Sequence, residues 1–271
     1  MAESCKLGFV GAGNMAEAIA RGVVGAKLFG PKELLASDPA TARRAVFAEQ
    51  LGIEAIDSNR DLVERCDAVV LAVKPQVMGD VLAGLAGHVA PDKLVISIAA
   101  GISTAYIAEA LGEPTRRIVR VMPNTPMLAG EGMSALAAGA AATDEDMAFA
   151  RRIFESAGRA LVVDESLIDA VTAVSGSGPA YFFYFIEAIV AGGVRAGLSE
   201  ADATMLAQQT MLGAAKLLAQ TGEAPAELRR KVTSPGGTTE AAIASMDAAE
   251  VLKCIADGVV AAADRSRELG K

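Results

Sequence analysis

Tryptophan is absent, histidine occurs once and cysteine three times in 271 residues. The cysteines, Cys5, Cys66 and Cys254, are odd in number and far apart. That fits neither a disulfide framework nor a CxxC metal or redox site, so no metal is expected and a reducing cytoplasm is the natural compartment. Basic runs are short: the longest is the triplet Arg229, Arg230, Lys231, in a chain of formal charge −8. This argues against a nucleic-acid or anionic-membrane surface and in favour of a small-molecule ligand. The most apolar stretch, Ala180 to Val194, carries Glu187. As a helix it would rise about 22 Å, short of the hydrocarbon core, so it reads as a buried helix. Glu3 stands before any apolar stretch, unlike a secretory leader. There is no low-complexity linker, internal repeat or coiled-coil heptad.

What is present is a globular chain, 52% hydrophobic and 21% charged, long enough for two domains. Its first half alternates short apolar runs with helical patterns, as parallel strands joined by crossover helices do. The candidate strands are residues 7–10, 33–37, 67–73, 93–99 and 118–122. Their continuous apolar character predicts a sheet covered on both faces. Residues 132–139 and 159–165 are expected to close it, around a helix from Asp144 to Gly158. Beyond Glu165 only helical patterns remain, over 166–174, 179–197, 199–220, 224–231, 238–246 and 248–269. The fold class is therefore α/β, a doubly wound Rossmann-type sheet over 1–164 followed by an all-α domain over 165–271. The run Tyr181, Phe182, Phe183, Tyr184, Phe185 points all the way round a helix, so no single apolar face hides it. A second subunit is the economical cover, which predicts a homodimer through the helical half; burial among the domain's own helices is the alternative.

In LGFVGAGNMAEAIA a strand runs into Gly11, Gly13 and Ala16, the G-x-G-x-x-G/A pattern of a dinucleotide-binding turn. Gly11 permits the tight turn, Gly13 lets the backbone approach a pyrophosphate, and Ala16 allows helix and strand to pack closely. Asp38, at the end of the second strand, stands where an acid accepts from ribose hydroxyls, which favours NADH. Ser37 with Arg43 and Arg44 can instead receive a 2′-phosphate, which favours NADPH, and both arginines can equally be solvated. Lys74 and Pro75 lie at the carboxyl edge of the sheet, where ligands bind. The one histidine, His88, falls in a loop between helix and strand and reads as a surface residue. That leaves alcohol chemistry short of a proton carrier. Hydride addition to a protonated imine needs no strong protein acid.

VMPNTP (121–126), SGSGPAY (175–181) and TSPGGTTEAA (233–242), with GFVGAGNM (8–15) and LAVKPQ (71–76), closely resemble the Δ1-pyrroline-5-carboxylate reductases, in order and spacing over nearly the whole chain. The resemblance implies a Rossmann domain, an all-α dimerisation domain like the C-terminal domain of 6-phosphogluconate dehydrogenase, and reduction of pyrroline-5-carboxylate to L-proline by NADPH or NADH. It implies dimers that often build decamers. By the same match Gly11, Ala12, Gly13, Asn14, Met15, Ala16, Ser37, Asn59, Val73, Lys74, Pro75 and Ala99 are expected to hold the cofactor, as Asp38 is from its place on the second strand, with Met122 and Asn124 close to the nicotinamide.

The turn before residue 240 resembles the family's substrate loop, with Val232, Ser234, Gly236, Gly237, Thr238 and Thr239 as substrate-binding residues. Backbone N–H groups at Gly236 and Gly237, before a helix N-terminus, are expected to cradle a carboxylate. Thr239 would aim its hydroxyl at the ring nitrogen, with Ser234 as a further donor; an ordinary helix cap by Thr238 or Thr239 is the plain alternative. Cofactor and carboxylate residues fall in different halves, so the active site is expected where the halves meet, the loop coming from the same or the partner chain. Two rivals remain. A β-hydroxyacid dehydrogenase would place a catalytic lysine after its glycine turn, and Ser175 to Gly197 holds none. A non-catalytic NAD(P) sensor would need no carboxylate loop.

Overall fold

The structure, a computed structural model, describes residues 5–270. By contacts it divides into two compact units: the described residues up to Ser177 with those from Ala262 onward, and Gly178–Ala261.

The first unit carries one sheet of eight strands, β1 (Cys5–Val10), β2 (Leu34–Ser37), β3 (Glu54–Ile56), β4 (Cys66–Leu71), β5 (Leu94–Ser97), β6 (Ile118–Met122), β7 (Gly132–Ala138) and β8 (Gly158–Val162). Their order is β3-β2-β1-β4-β5-β6-β7-β8, parallel throughout except between β6 and β7. Successive residues of the inner strands alternate between two buried layers: Leu7, Phe9, Val70 and Ile96 pack on one face, Val10, Val69, Leu71 and Val95 on the other. Burial on both faces is what their unbroken apolar character requires.

Helices α1 (Asn14–Gly25), α2 (Thr41–Ala45), α3 (Asn59–Arg65), α4 (Pro75–Leu85), α5 (Thr104–Ala110), α6 (Asp144–Glu155) and α7 (Ile168–Val171) complete this unit. Ile19, Ala20 and Val23 of α1 seal one layer; Met78, Leu82 and Leu85 of α4 seal the other.

Three features depart from the sequence pattern. Strand β3 was not foreseen, because three residues with Glu54 exposed carry little apolar signal. The helix expected over 166–174 is short, since α7 opens into a wide turn over Thr172–Gly176 in which Ser177 N–H reaches back to Thr172 O at 2.8 Å. Residue 164 lies inside the first unit, because Ile168 is buried against Ala135 and Ala137 of β7 and Val171 packs on them.

The second unit contains α8 (Gly178–Arg195), α9 (Glu200–Thr221), α10 (Pro225–Lys231) and α11 (Thr238–Ala248), and α12 (Val251–Leu269) runs from it back into the first. Ser199 caps α9, its hydroxyl accepting from Asp202 N–H at 3.1 Å. This unit has almost no interior of its own: its buried residues are Gly178, Ala203 and Ala207. Phe182, Phe183 and Tyr184 are 60%, 61% and 74% exposed, so the chain's own helices do not cover them.

Candidate active site

Gly11 leaves β1 at φ 96°, a conformation that favours glycine, and its N–H donates to Ser37 O at 2.8 Å. A Cβ here would press on Ala72 backbone and Val73 Cγ1 at 3.0 Å. Gly13 is the N-cap of α1, and a Cβ there would meet nothing within 4 Å. Open space in front of the unpaired first amides of a helix is an anion cradle, which suits a pyrophosphate. Asn14 and Met15 form the first turn of α1, and Ala16 is fully buried under it, as its role in close packing requires.

At the end of β2 the structure shows what two predicted residues hold. Asp38 accepts from Ala12 N–H at 2.9 Å through one carboxylate oxygen and from Ala40 N–H at 2.8 Å through the other. It is therefore braced against the glycine turn, and each oxygen keeps a further acceptor site. Ser37 is fully buried and donates to Asn59 Oδ1 at 2.7 Å, so its hydroxyl does not face a 2′-phosphate.

The two arginines are not simply solvated. Arg43 donates to Ala12 O at 2.6 Å and pairs with Glu17 at 2.8 Å; Arg44 donates to Asp38 O and Pro39 O at 2.8 and 2.9 Å. Burial works against ionisation of Glu17, but hydrogen bonds from Arg43 and Arg21 outweigh it and hold the carboxyl below its ordinary range. Two fixed guanidinium groups thus flank the β2 turn.

Val73 lies beside Gly11, Lys74 is the exposed N-cap of α4, and Pro75 opens that helix. Ala99 is buried after β5. Met122 ends β6 with its Cε against Gly176, where an added Cβ would stand 2.5 Å away. Asn124 is a junction: Nδ2 donates to Ser175 O and Oγ, both at 3.2 Å, and Oδ1 accepts from Met133 N–H at 2.8 Å. The wide turn at Thr172–Gly176 brings Ser175 to this contact, a residue to which the sequence alone assigned no role. Irregular turns of this kind recur at functional sites.

In the second unit α11 begins at Thr238 with Gly237 as N-cap, and no side chain caps it, which removes the plain capping role for Thr238 or Thr239. The donors differ from those expected. Gly237 N–H is spent on Ser234 O at 3.0 Å, and Gly236 N–H, in a residue at φ 70°, is spent on Glu240 Oε2 at 2.7 Å. The free amides are those of the first helical turn, at Thr238 and Thr239. Glu240, three positions into the helix region and reaching back, fixes the glycine bend; its spacing is the signal that could have revealed it. Ser234 and Val232 are exposed on the same loop, and Thr239 is half-buried.

Neither His88 nor Cys66 is placed for acid–base work. His88 lies between α4 and β5 with Nδ1 3.1 Å from Glu64 Oε1. Cys66 is buried, its thiol pushed up first by the hydrogen bond with Cys5 and then by burial, which makes it a poor nucleophile.

Residues 165–269 match the family described as pyrroline-5-carboxylate reductase dimerisation, and residues 6–101 match NADP oxidoreductase coenzyme F420-dependent. A pyrroline-5-carboxylate reductase from Arabidopsis thaliana is 42% identical over 270 residues, 100% of this chain and 97% of that one. One from Synechocystis is 45% identical, covering 99% of each. Among solved structures, a pyrroline-5-carboxylate reductase from Coxiella burnetii superposes with a TM-score of 0.92 at 34% identity, over 99% of this chain and 100% of that one. A Plasmodium falciparum pyrroline carboxylate reductase with NADP bound gives 0.88 at 31% identity, covering 100% of both.

Proposed function

The chain belongs to the pyrroline-5-carboxylate reductase family, and from that premise we propose that it reduces L-1-pyrroline-5-carboxylate to L-proline, preferring NADPH. The coenzyme, when bound, supplies the hydride. The chain's own residues do the rest. The open helix start at Gly13 to Met15 binds the pyrophosphate, and Met122 and Asn124, braced by Ser175, form the floor for the nicotinamide. The amides of Thr238 and Thr239 hold the substrate carboxylate, and Thr239 Oγ1 orients the ring nitrogen. That nitrogen arrives protonated; as hydride adds to the carbon, the C=N π pair becomes the nitrogen lone pair, and no protein acid is consumed. In functional terms residues 1–164 bind the nucleotide and 165–271 bind substrate and pair subunits.

The observation that carries the coenzyme preference is Asp38, whose two oxygens are committed to Ala12 and Ala40 while Arg43 and Arg44 fix positive charge beside it. A 2′-phosphate meets two guanidinium groups beside a carboxylate that backbone amides already engage. The test is pyrroline-5-carboxylate-dependent oxidation of NADPH and NADH side by side, in the native chain and in Asp38→Ala. NADPH should give the higher kcat/KM, and Asp38→Ala should weaken both coenzymes by a similar factor, about tenfold for losing charge-assisted hydrogen bonds. A selective gain for NADPH in the variant would show that Asp38 faces ribose after all. No turnover with either coenzyme would remove the reductase reading itself.

The exposed aromatic run and the shortage of buried residues in the second unit support a homodimer formed through α8 and α9. These helices enclose an apolar groove of about 510 Å³ lined by Phe182, Phe185, Ile189, Leu206 and Leu218. Further assembly of dimers into a decamer, in the cytoplasm, completes the proposal. Sedimentation velocity should show no monomer at micromolar protein and resolves dimer from decamer.

A further inference from the structure

Gly176 closes the wide turn over Thr172–Gly176, and nothing in its backbone asks for glycine: its φ is not positive, unlike those of Gly130 and Gly158. In a helical turn glycine is the costlier choice, since alanine loses less conformational freedom on folding. The reason for it lies outside the turn. An added Cβ would stand 2.5 Å from Met122 Cε, whereas Thr172, the next neighbour, would be in ordinary contact at 3.6 Å.

The obstacle is the far end of a flexible side chain, so an alanine at 176 displaces the methyl and leaves the turn folded. Where the methyl goes is restricted. The stem of Met122 packs on Ala135, Ala137 and Ile168, each no more than 1% exposed, and an interior at native density gives it no room to retreat. Met122 itself ends β6 and is half-buried. The side left open to it is the carboxyl edge of the sheet, where ligands of such sheets bind. The residue before Gly176 serves the same place, because Asn124 Nδ2 donates to Ser175 O and Oγ at 3.2 Å. Adjacent positions of one turn thus hold Asn124 and make room for Met122.

We propose that Gly176 is a positioning residue for the coenzyme: lacking a side chain, it seats the Met122 methyl against the wide turn and so keeps the place of the nicotinamide ring clear. The inference rests on the assignment of the nicotinamide to Met122 and Asn124. A role in packing alone would make Gly176→Ala a stability variant. A positioning role makes it a coenzyme variant of native stability.

Isothermal titration calorimetry of the intact protein with NADPH and with 2′-phospho-ADP-ribose, which lacks the nicotinamide, separates the two. In Gly176→Ala the Kd for NADPH should rise at least about tenfold while that for 2′-phospho-ADP-ribose stays within about twofold, and the thermal midpoint should not fall. Met122→Ala removes the methyl, so in that background Gly176→Ala should leave the Kd for NADPH within about twofold, the two positions being coupled. Equal weakening of both ligands, an unchanged Kd for NADPH, a Gly176→Ala protein that does not fold, or the same loss with and without the Met122 methyl would each overturn the assignment. Turnover is read separately: a native chain that binds NADPH without reducing pyrroline-5-carboxylate removes the reductase reading and leaves the titrations to decide this one.

Discussion

Thr239→Ala is expected to lower kcat about tenfold to a thousandfold, the range for losing one oriented donor to a reacting group, with the KM for NADPH unchanged. The side chain makes no hydrogen bond among the described residues, and the helix it opens is capped by Gly237, so folding does not depend on the hydroxyl. The threonine amide stays in place in the variant, so carboxylate binding survives and the loss falls on turnover. Thr239→Ser keeps the hydroxyl and should retain most of the rate. Steady-state kinetics of the three proteins decide the matter: a serine variant as slow as the alanine one would assign the effect to packing.

Gly158→Ala should prevent accumulation of native protein. Gly158 enters β8 at φ 153° directly opposite Gly132 of β7, and an added Cβ would stand 2.5 Å from Gly132 N, closer still to Gly132 O. Both obstacles are backbone held in a ladder, so neither can swing aside, and the cost should exceed about 4 kcal/mol. Gly130→Ala is the matched control: Gly130 has φ 74° but a Cβ there would meet nothing within 4 Å, so only the backbone penalty of about 1–2 kcal/mol applies. Soluble yield and urea midpoints compare the two. Equal midpoints would mean that β7 and β8 can part without harm.

Much of this was legible from residues. Apolar runs bounded by turn signals located every strand except β3, whose three residues fall below any pattern. The glycine fingerprint marked its turn because the constraint is local: a tight bend, an open face and a small packing residue lie within six positions. Roles that depend on approach between distant segments were not legible. That Asp38 braces the glycine turn shows only once Ala12, far back in sequence, is seen to donate to it. In the substrate loop the motif identified the right segment, yet which amides stay free followed only from Ser234 and Glu240 claiming those of Gly237 and Gly236.

The carboxyl end of α12 has a consequence for how the molecule comes apart. Ser266 Oγ donates to Asp169 Oδ1 at 2.6 Å, so the chain leaves the sheet-bearing unit after Ser177 and is fastened to it again near its end. Gly178–Ala261 is therefore an insertion with two covalent tethers. A single protease nick within it would release no fragment, and the cut halves should travel together on a native gel until denaturant is added.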